Sequence, residues 1–259
     1  MAPENTHPLV SVIMPAYNAE ATIAEAVESV CRQSISDIEL IILDDCSSDR
    51  TCQIVKQLAA EDPRIRFYPG SENCGVAAVR NKGIDLSTGA YVALLDSDDT
   101  WEPRKLESQL ARMQTTGAAV CYTSYAIVDH ALQKIRRDYI VPPSIDYYGL
   151  LKENVIGCST VLIEAKVLKA HKFRTDFYHE DYVLWLELLK EGHKAVGETK
   201  VLTNWRYQEN SRSYDKGKSL RNRWKIYRKT EKLSLAGSVY YLFHYAAAAL
   251  KKYKPHNLD

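Results

Sequence analysis

Three carboxylates fall within four positions at Asp96-Ser97-Asp98-Asp99, directly after the apolar run Tyr91-Val92-Ala93-Leu94-Leu95. A run that short and aliphatic reads as a buried strand. Acids at the carboxyl end of such a strand sit at the mouth of an open α/β sheet, where ligands bind. Acids this close repel one another unless a positive charge lies between them. A hard divalent cation, Mn2+ or Mg2+, would hold one or two of them and complete its shell with water and substrate phosphates. A plainer reading has Asp98 or Asp99 capping a helix that opens at Glu102-Pro103. Capping uses one acid and leaves two, so both readings can hold.

A second acid pair, Asp44-Asp45, ends the apolar run over residues 38–43. In a parallel sheet the two acid groups share one edge. That suits a ligand with a hydrogen-bonding base at one end and metal-bound phosphates at the other. A carboxylate near Asp44-Asp45 could accept a bond from an imide N–H. Tyr17 could stack on the base, and Arg80 could reach base or phosphates. Taken singly, Tyr17 could simply pack and Arg80 could simply pair with a neighbouring acid. A third acid pair, Glu180-Asp181, precedes the apolar stretch Tyr182-Val183-Leu184-Trp185-Leu186. By itself it reads as acids favoured at a helix N-terminus by the dipole.

The elements that must carry these groups alternate. Residues 9–14 read as a first strand. Ile23, Ala26, Val27 and Val30 follow at helical spacing. Residues 38–43 are the second strand, and Ser47-Ser48-Asp49 offers N-cap chemistry for a helix bearing Thr51, Ile54, Val55 and Leu58 on one face. Residues 65–68 make a third strand, 76–84 a helix and 91–95 a fourth strand. This β-α alternation argues for a parallel sheet. A helix to about residue 116, strands at 119–128, 160–163 and 200–207, and a helix opening at Glu180-Asp181 follow. Residues 129–144 read as a polar excursion. Neither G-x-G-x-x-G after the first strand nor G-x-x-x-x-G-K-[ST] is present.

The chain has 259 residues, with 46% apolar and 26% charged, an ordinary globular balance. No run has the length of a membrane-spanning helix, and no charged-then-apolar leader opens the sequence. Six cysteines without a C-x-x-C pair point to reduced, buried thiols in a cytoplasmic protein, not to disulfides or a zinc site. Net charge is +1 but uneven: residues 216–259 carry +9 and residues 1–215 carry −8. A basic tail on an acidic body implies an anionic partner for the tail. Val239, Leu242, Phe243, Ala246 and Leu250, with Tyr240, Tyr241, Tyr245 and Lys251-Lys252, make a partly amphipathic helix suited to a membrane surface. The same face would equally suit packing on the catalytic domain or on a second copy in a homo-oligomer.

Four segments together resemble family 2 glycosyltransferases of the GT-A fold: Val12-Ile13-Met14-Pro15-Ala16-Tyr17-Asn18, Leu43-Asp44-Asp45-Cys46-Ser47-Ser48-Asp49-Arg50-Thr51, Gly75-Val76-Ala77-Ala78-Val79-Arg80-Asn81-Lys82-Gly83 and Leu94-Leu95-Asp96-Ser97-Asp98-Asp99. The resemblance spans about residues 8–215, with 216–259 as a basic helical extension outside it. It implies a Rossmann-like, mostly parallel α/β sheet flanked by helices, and an inverting transfer from a nucleotide-diphospho-sugar, commonly UDP-linked, with a divalent metal. By position, Pro15, Tyr17, Asp45 and Arg80 would bind the nucleotide. Asp96 would lie at the ribose or sugar, and Asp98 would ligate the metal. The resemblance also makes Asp181 the catalytic base, with Glu180 positioning it or the acceptor. The segment Trp205-Arg206-Tyr207-Gln208-Glu209-Asn210-Ser211-Arg212-Ser213 resembles one that closes over the diphosphate, with Gln208 where the family often has His. Arg206 or Arg212 could reach phosphate. Leu220-Arg221-Asn222-Arg223-Trp224 lacks the Gln of the processive Q-x-x-R-W signature, which implies single addition. By analogy, the acceptor would be a saccharide or lipid-linked saccharide in bacterial surface polysaccharide synthesis, at the inner face of the plasma membrane.

Other classes fit less of the sequence. Asp96-Ser97-Asp98-Asp99-Thr100 matches the D-x-D-x-T of haloacid dehalogenase phosphatases, with Asp96 as nucleophile and Asp98 as acid, but three β-α units precede it. A nucleotidyltransferase needs a Gly-rich basic loop after the first strand, where Pro15-Ala16-Tyr17-Asn18 stands. A nucleic-acid adaptor would explain the basic tail and leave three acid clusters without a role.

Overall fold

The computed structural model describes residues 7–207 and 216–252. Four parallel strands form its first half: β1 (Val10–Ala16), β2 (Ile38–Asp44), β3 (Ile65–Tyr68) and β4 (Tyr91–Leu94), in the order β3-β2-β1-β4. The crossovers are α1 (Ile23–Cys31), α2 (Thr51–Glu61) and α3 (Val76–Leu86). Strand side chains alternate between faces, and here both faces are buried. Ile13, Ile41, Leu43, Val92 and Leu94 enter one core; Val12, Met14, Leu40, Ile42 and Ala93 enter the other. On α1 the buried residues are Ile23, Ala26, Val27 and Val30, the set expected from spacing.

The second half of the sheet is mixed. β5 (Thr100–Trp101), α4 (Lys105–Thr116), β6 (Val120–Val128), β7 (Ser144–Ile145) and α5 (Tyr147–Lys152) come first. Then follow a 3-10 turn (Cys158–Thr160), β8 (Leu162–Glu164), α6 (Ala165–Ala170), α7 (Glu180–Lys190) and β9 (Ala195–Arg206). The strand order continues β4-β8-β6-β9-β5, with β7 also on β9. The β6–β9 ladder is parallel, whereas β4–β8, β6–β8, β5–β9 and β7–β9 are short antiparallel pairings.

Three local expectations are corrected. Asp98 and Asp99 cap no helix: α4 opens at Lys105, without a side-chain cap, because Thr100 and Trp101 pair with Asn204 and Thr203 of β9. The strand expected over 160–163 starts later, at Leu162, after the 3-10 turn. The last strand begins at Ala195, earlier than residue 200, and shifts register between Thr123 and Tyr125 of its partner β6.

The basic extension folds as α8 (Lys216–Lys225), a π-helical turn (Ile226–Thr230) and α9 (Leu235–Lys252). Ile226 and Tyr227 are buried in the same core as α7. The Tyr227 hydroxyl donates to the Leu151 carbonyl at 2.6 Å, and the Tyr147 hydroxyl donates to Glu231 at 2.6 Å. The start of the extension is therefore seated on the body by apolar burial and buried hydrogen bonds. No helix among the described residues is long and apolar enough to cross a membrane.

Candidate active site at the carboxyl edge of the sheet

The carboxyl ends of β1, β2 and β4 lie side by side, with Ala16 opposite Asp44 and Leu94 opposite Ile13. Pro15 is buried at the end of β1, and Tyr17 follows it into solvent, 54% exposed. Asp45 is buried one residue beyond β2. Its carboxylate accepts from the backbone N–H of Cys74 at 2.8 Å and of Gly75 at 2.9 Å. Gly75 opens α3 at φ +85°, a left-handed conformation that glycine adopts at little cost. Asp45 thus ties the end of β2 to the start of α3; Oδ1 also accepts from the Cys74 thiol at 3.3 Å.

Arg80, one and a half turns into α3, joins the acid clusters. It is only 4% exposed. Nη2 donates to Asp96 at 2.5 Å and Nη1 donates to Glu180 at 2.8 Å. Its guanidinium also stands over the Phe173 ring at 5.5 Å. Two carboxylates on one guanidinium raise its pKa well above normal despite burial, so Arg80 stays charged. The fork brings the end of β4 and the start of α7 to one point, although the residues are far apart in the chain.

Asp98 and Asp99 complete the turn after Asp96; the Asp99 N–H donates to the Asp96 carbonyl at 3.1 Å. Asp99 is buried and accepts from the backbone N–H of Arg206 at 2.9 Å. Burial, then the charges of Asp98 and Asp96, push its pKa well up. Asp98 is half-buried, and burial followed by the Asp96 charge pushes its pKa up to about 6. A patch of crowded carboxylates, with Asp96 and Asp98 still reachable from solvent, is the oxygen-only donor set that a hard divalent cation fits. Asp98 would be its protein ligand here.

Asp181 lies in the first turn of α7 beside Glu180, part-buried, and its carboxylate accepts from the Tyr182 N–H at 2.8 Å. Burial raises its pKa, the Arg80 charge opposes that rise, and Asp96 adds to it. A carboxylate whose proton affinity is raised is better suited to take a hydroxyl proton.

Arg206, one of two arginines that could reach phosphate, directs Nη2 to Glu25 of α1 at 2.6 Å, and its charge opposes the rise in the Asp98 pKa. Gln208 and Arg212 lie outside the described residues. Three contributors are not singled out by the sequence. Ser159 accepts from the Asp96 N–H at 3.1 Å through Oγ, and from the Trp101 indole at 2.7 Å through its carbonyl. The neighbouring Cys158 thiol is pushed well up by burial and by Asp96, Asp181 and Glu180, with Arg80 opposing. From α8, Arg223 is buried with its guanidinium 3.5 Å above the Tyr182 ring and adds positive field at Asp181. The 3-10 turn of residues 158–160 has no periodic pattern, and Arg223 stands in the sequence only as the Arg of the incomplete Q-x-x-R-W signature. The turn carries no usable signal, and that partial signature is the one signal that could have found Arg223.

Glycosyl transferase family 2 is matched over residues 11–165, which hold every strand-end acid described above except the pair on α7. The chain belongs to this family. Relatives agree along nearly the whole length. TuaG of Bacillus subtilis (strain 168), named provisionally as a teichuronic acid biosynthesis glycosyltransferase, is 38% identical over 248 residues, 96% of this chain and 98% of TuaG. WfgD of Escherichia coli, a UDP-Glc:alpha-D-GlcNAc-diphosphoundecaprenol beta-1,3-glucosyltransferase, is 36% identical over 95% of each chain. A match of 248 residues runs beyond residue 215, so the similarity includes part of the extension, contrary to expectation. The fold is that of the mannosyltransferase PcManGT of Pyrobaculum calidifontis, solved with GDP-Man and Mn2+, at TM-score 0.69 and 17% identity over 96% of this chain and 77% of that one. The phosphatase reading of Asp96 and Asp98 is overturned by the family match. This protein is a glycosyltransferase.

Proposed function

We propose that this glycosyltransferase is an inverting enzyme that moves a sugar from a UDP-sugar to a hydroxyl of a saccharide acceptor, carried on a lipid diphosphate, in building a bacterial surface polysaccharide. One observation carries the reading: Arg80 holds Asp96, from the donor-side acids, and Glu180, neighbour of the base, on one guanidinium. Donor and acceptor chemistry then share one hollow. The donor and acceptor in the name of WfgD support a UDP-sugar and a lipid-linked acceptor here.

Pro15, Tyr17, Asp45, Arg80 and Asp96 bind the nucleotide, with Tyr17 stacking on the base. Asp98 holds a Mn2+ or Mg2+ ion, a role supported by the Mn2+ bound to PcManGT. When bound, the cation neutralises charge developing on the leaving diphosphate. Asp181 takes the proton of the acceptor hydroxyl. The acceptor oxygen attacks the anomeric carbon from the face opposite the diphosphate, and the carbon–oxygen bond to UDP breaks with its electron pair leaving on UDP. Glu180, fixed by Arg80, positions Asp181. Equilibrium binding of UDP with Mn2+ tests the donor half. Asp98→Ala, or EDTA, should weaken UDP binding by at least about 100-fold, the scale of loss when a metal site loses support. UDP binding that ignores both changes would sink the assignment.

In this reading residues 1–215 form the catalytic unit and residues 216–259 a basic extension that rests on an anionic membrane. On α9, Leu235, Val239 and Phe243 repeat every four residues and are 63%, 55% and 72% exposed. Arg228, Lys229 and Lys232 precede that stripe. Apolar insertion flanked by cations is how a helix binds anionic headgroups. The chain should float with phosphatidylglycerol vesicles and not with phosphatidylcholine vesicles. Phe243→Asp should abolish flotation and leave UDP binding intact; equal flotation on both lipids would count against the role.

A further inference from the structure

Three ligand-type side chains outside the transfer site meet at the far end of α7. His171 closes α6, Glu191 closes α7, and His193 lies two residues on, before β9. Nε2 of His171 is 2.8 Å from Oε2 of Glu191, and Nε2 of His193 is 3.9 Å from the same oxygen. One ligand atom from each residue falls within 4.8 Å of the others. The two rings meet edge to face, with centroids 5.9 Å apart.

The backbone builds this cluster. At the end of α7 the Gly192 N–H donates to Leu189 at 3.2 Å and the His193 N–H donates to Leu188 at 3.0 Å. With Gly192 at φ +89° this is a Schellman turn, which folds His193 back beside Glu191. On α6, Nδ1 of His171 is 2.7 Å from the Val167 carbonyl. A carbonyl only accepts, so Nδ1 carries the hydrogen, and a neutral ring aims the Nε2 lone pair at the Glu191 carboxylate. Two acceptors that close need a positive occupant between them. A proton on His171 would be one. His193, with Nε2 3.9 Å from the same carboxylate oxygen, would contribute a third lone pair to a metal ion.

We propose that His171, Glu191 and His193 form a zinc site that pins the α7–β9 turn to the end of α6. Ligands of tetrahedral zinc, at bond lengths of about 2.0–2.1 Å, lie about 3.3 Å apart, and the separations of 2.8 and 3.9 Å bracket that value. Water would take the fourth position. Two imidazoles and one carboxylate suit Zn2+, whereas the all-oxygen edge at Asp98 suits Mn2+ or Mg2+. The Val167 carbonyl supplies the outer-shell acceptor that fixes a ligating histidine's tautomer. The eleven residues of α7 separate the site from Glu180 and Asp181 by roughly 16 Å of helix. Zinc would therefore anchor the helix that carries the base without touching the reaction.

The test uses the full chain, stripped with chelator and titrated with Zn2+ at mildly basic pH, by calorimetry and by the visible spectrum of Co2+ in its place. The expected result is one Zn2+ per chain, retained in Asp98→Ala, and a rise in Tm on adding zinc. His193→Ala and Glu191→Gln should each weaken zinc binding at least about tenfold, remove the Tm rise, and keep the native circular dichroism spectrum and Mn2+-supported UDP binding. Both substitutions are at residues with solvent access, so folding is not at stake. Absence of stoichiometric zinc, zinc binding unchanged in both variants, or zinc binding lost in Asp98→Ala would each overturn the proposal.

Discussion

Asp181→Asn is expected to lower kcat by about 1,000-fold while donor affinity is unchanged, the signature of a lost general base. The argument is electrostatic. Asp181 lies in the first turn of α7, where burial raises its pKa and Arg80 restrains the rise. Only the ionised carboxylate can accept the acceptor's proton, so activity falls as pH drops through that raised pKa. The acid limb of kcat/KM should therefore lie above the ordinary carboxylate range and vanish in Asp181→Asn. The sign reverses for stability. A folded-state pKa above the unfolded value means that the ionised group costs stability once pH exceeds the unfolded pKa. Asp181→Asn should thus unfold at higher urea than wild type at neutral pH, a trade of activity for stability. Rates over a pH series, UDP-sugar calorimetry and urea melts check all three points. Loss of donor binding without an isolated rate defect would remove Asp181 from the role.

Arg80→Ala should destabilise the fold by about 3–5 kcal/mol, the range for removing one partner of a buried ion pair. The group that loses the guanidinium is Glu180, whose side chain is as buried as that of Arg80. Asp96 is more exposed and would recover water, so most of the loss is assigned to Glu180. Arg80→Lys should also lose activity, because one ammonium on a flexible stem cannot reach both carboxylates as a planar fork does. The double variant Arg80→Met with Glu180→Gln should unfold at higher urea than Arg80→Ala, since it removes the buried carboxylate's charge together with the guanidinium. Urea melts of the four proteins decide. A loss under about 1 kcal/mol in Arg80→Ala, the scale of a surface pair, would mean that the bridge is not buried in solution.

Much of the frame is legible in the sequence. Alternation of apolar strands and amphipathic helices is a local pattern, and β1 to β4 and α1 to α3 follow it because each buried face repeats within a few residues. Acids placed just past strand ends mark the working edge for the same reason, since strand direction fixes where Asp45 and Asp96 emerge. Local chemistry misleads where long-range pairing overrides it. Asp98 and Asp99 look like helix caps, but Thr100 and Trp101 are claimed by β9, a hundred residues later, and the helix starts after them. Ser159 and Cys158 join the site through a 3-10 turn with no periodicity, and Arg223 reaches Tyr182 from an extension that looks like a solvated basic tail.

The amino-acid sequence by itself determined the β-α order, the two-faced burial of the first strands and the identity of the acids, because side-chain periodicity and residue chemistry are properties of short stretches. Only the tertiary structure decided that Arg80 would join Asp96 to Glu180, that Asp45 would hold the Gly75 turn, and that two histidines and Glu191 would meet at the other end of α7. Those meetings depend on which strands pair and how helices cross them, and no local pattern records distances between residues a hundred positions apart.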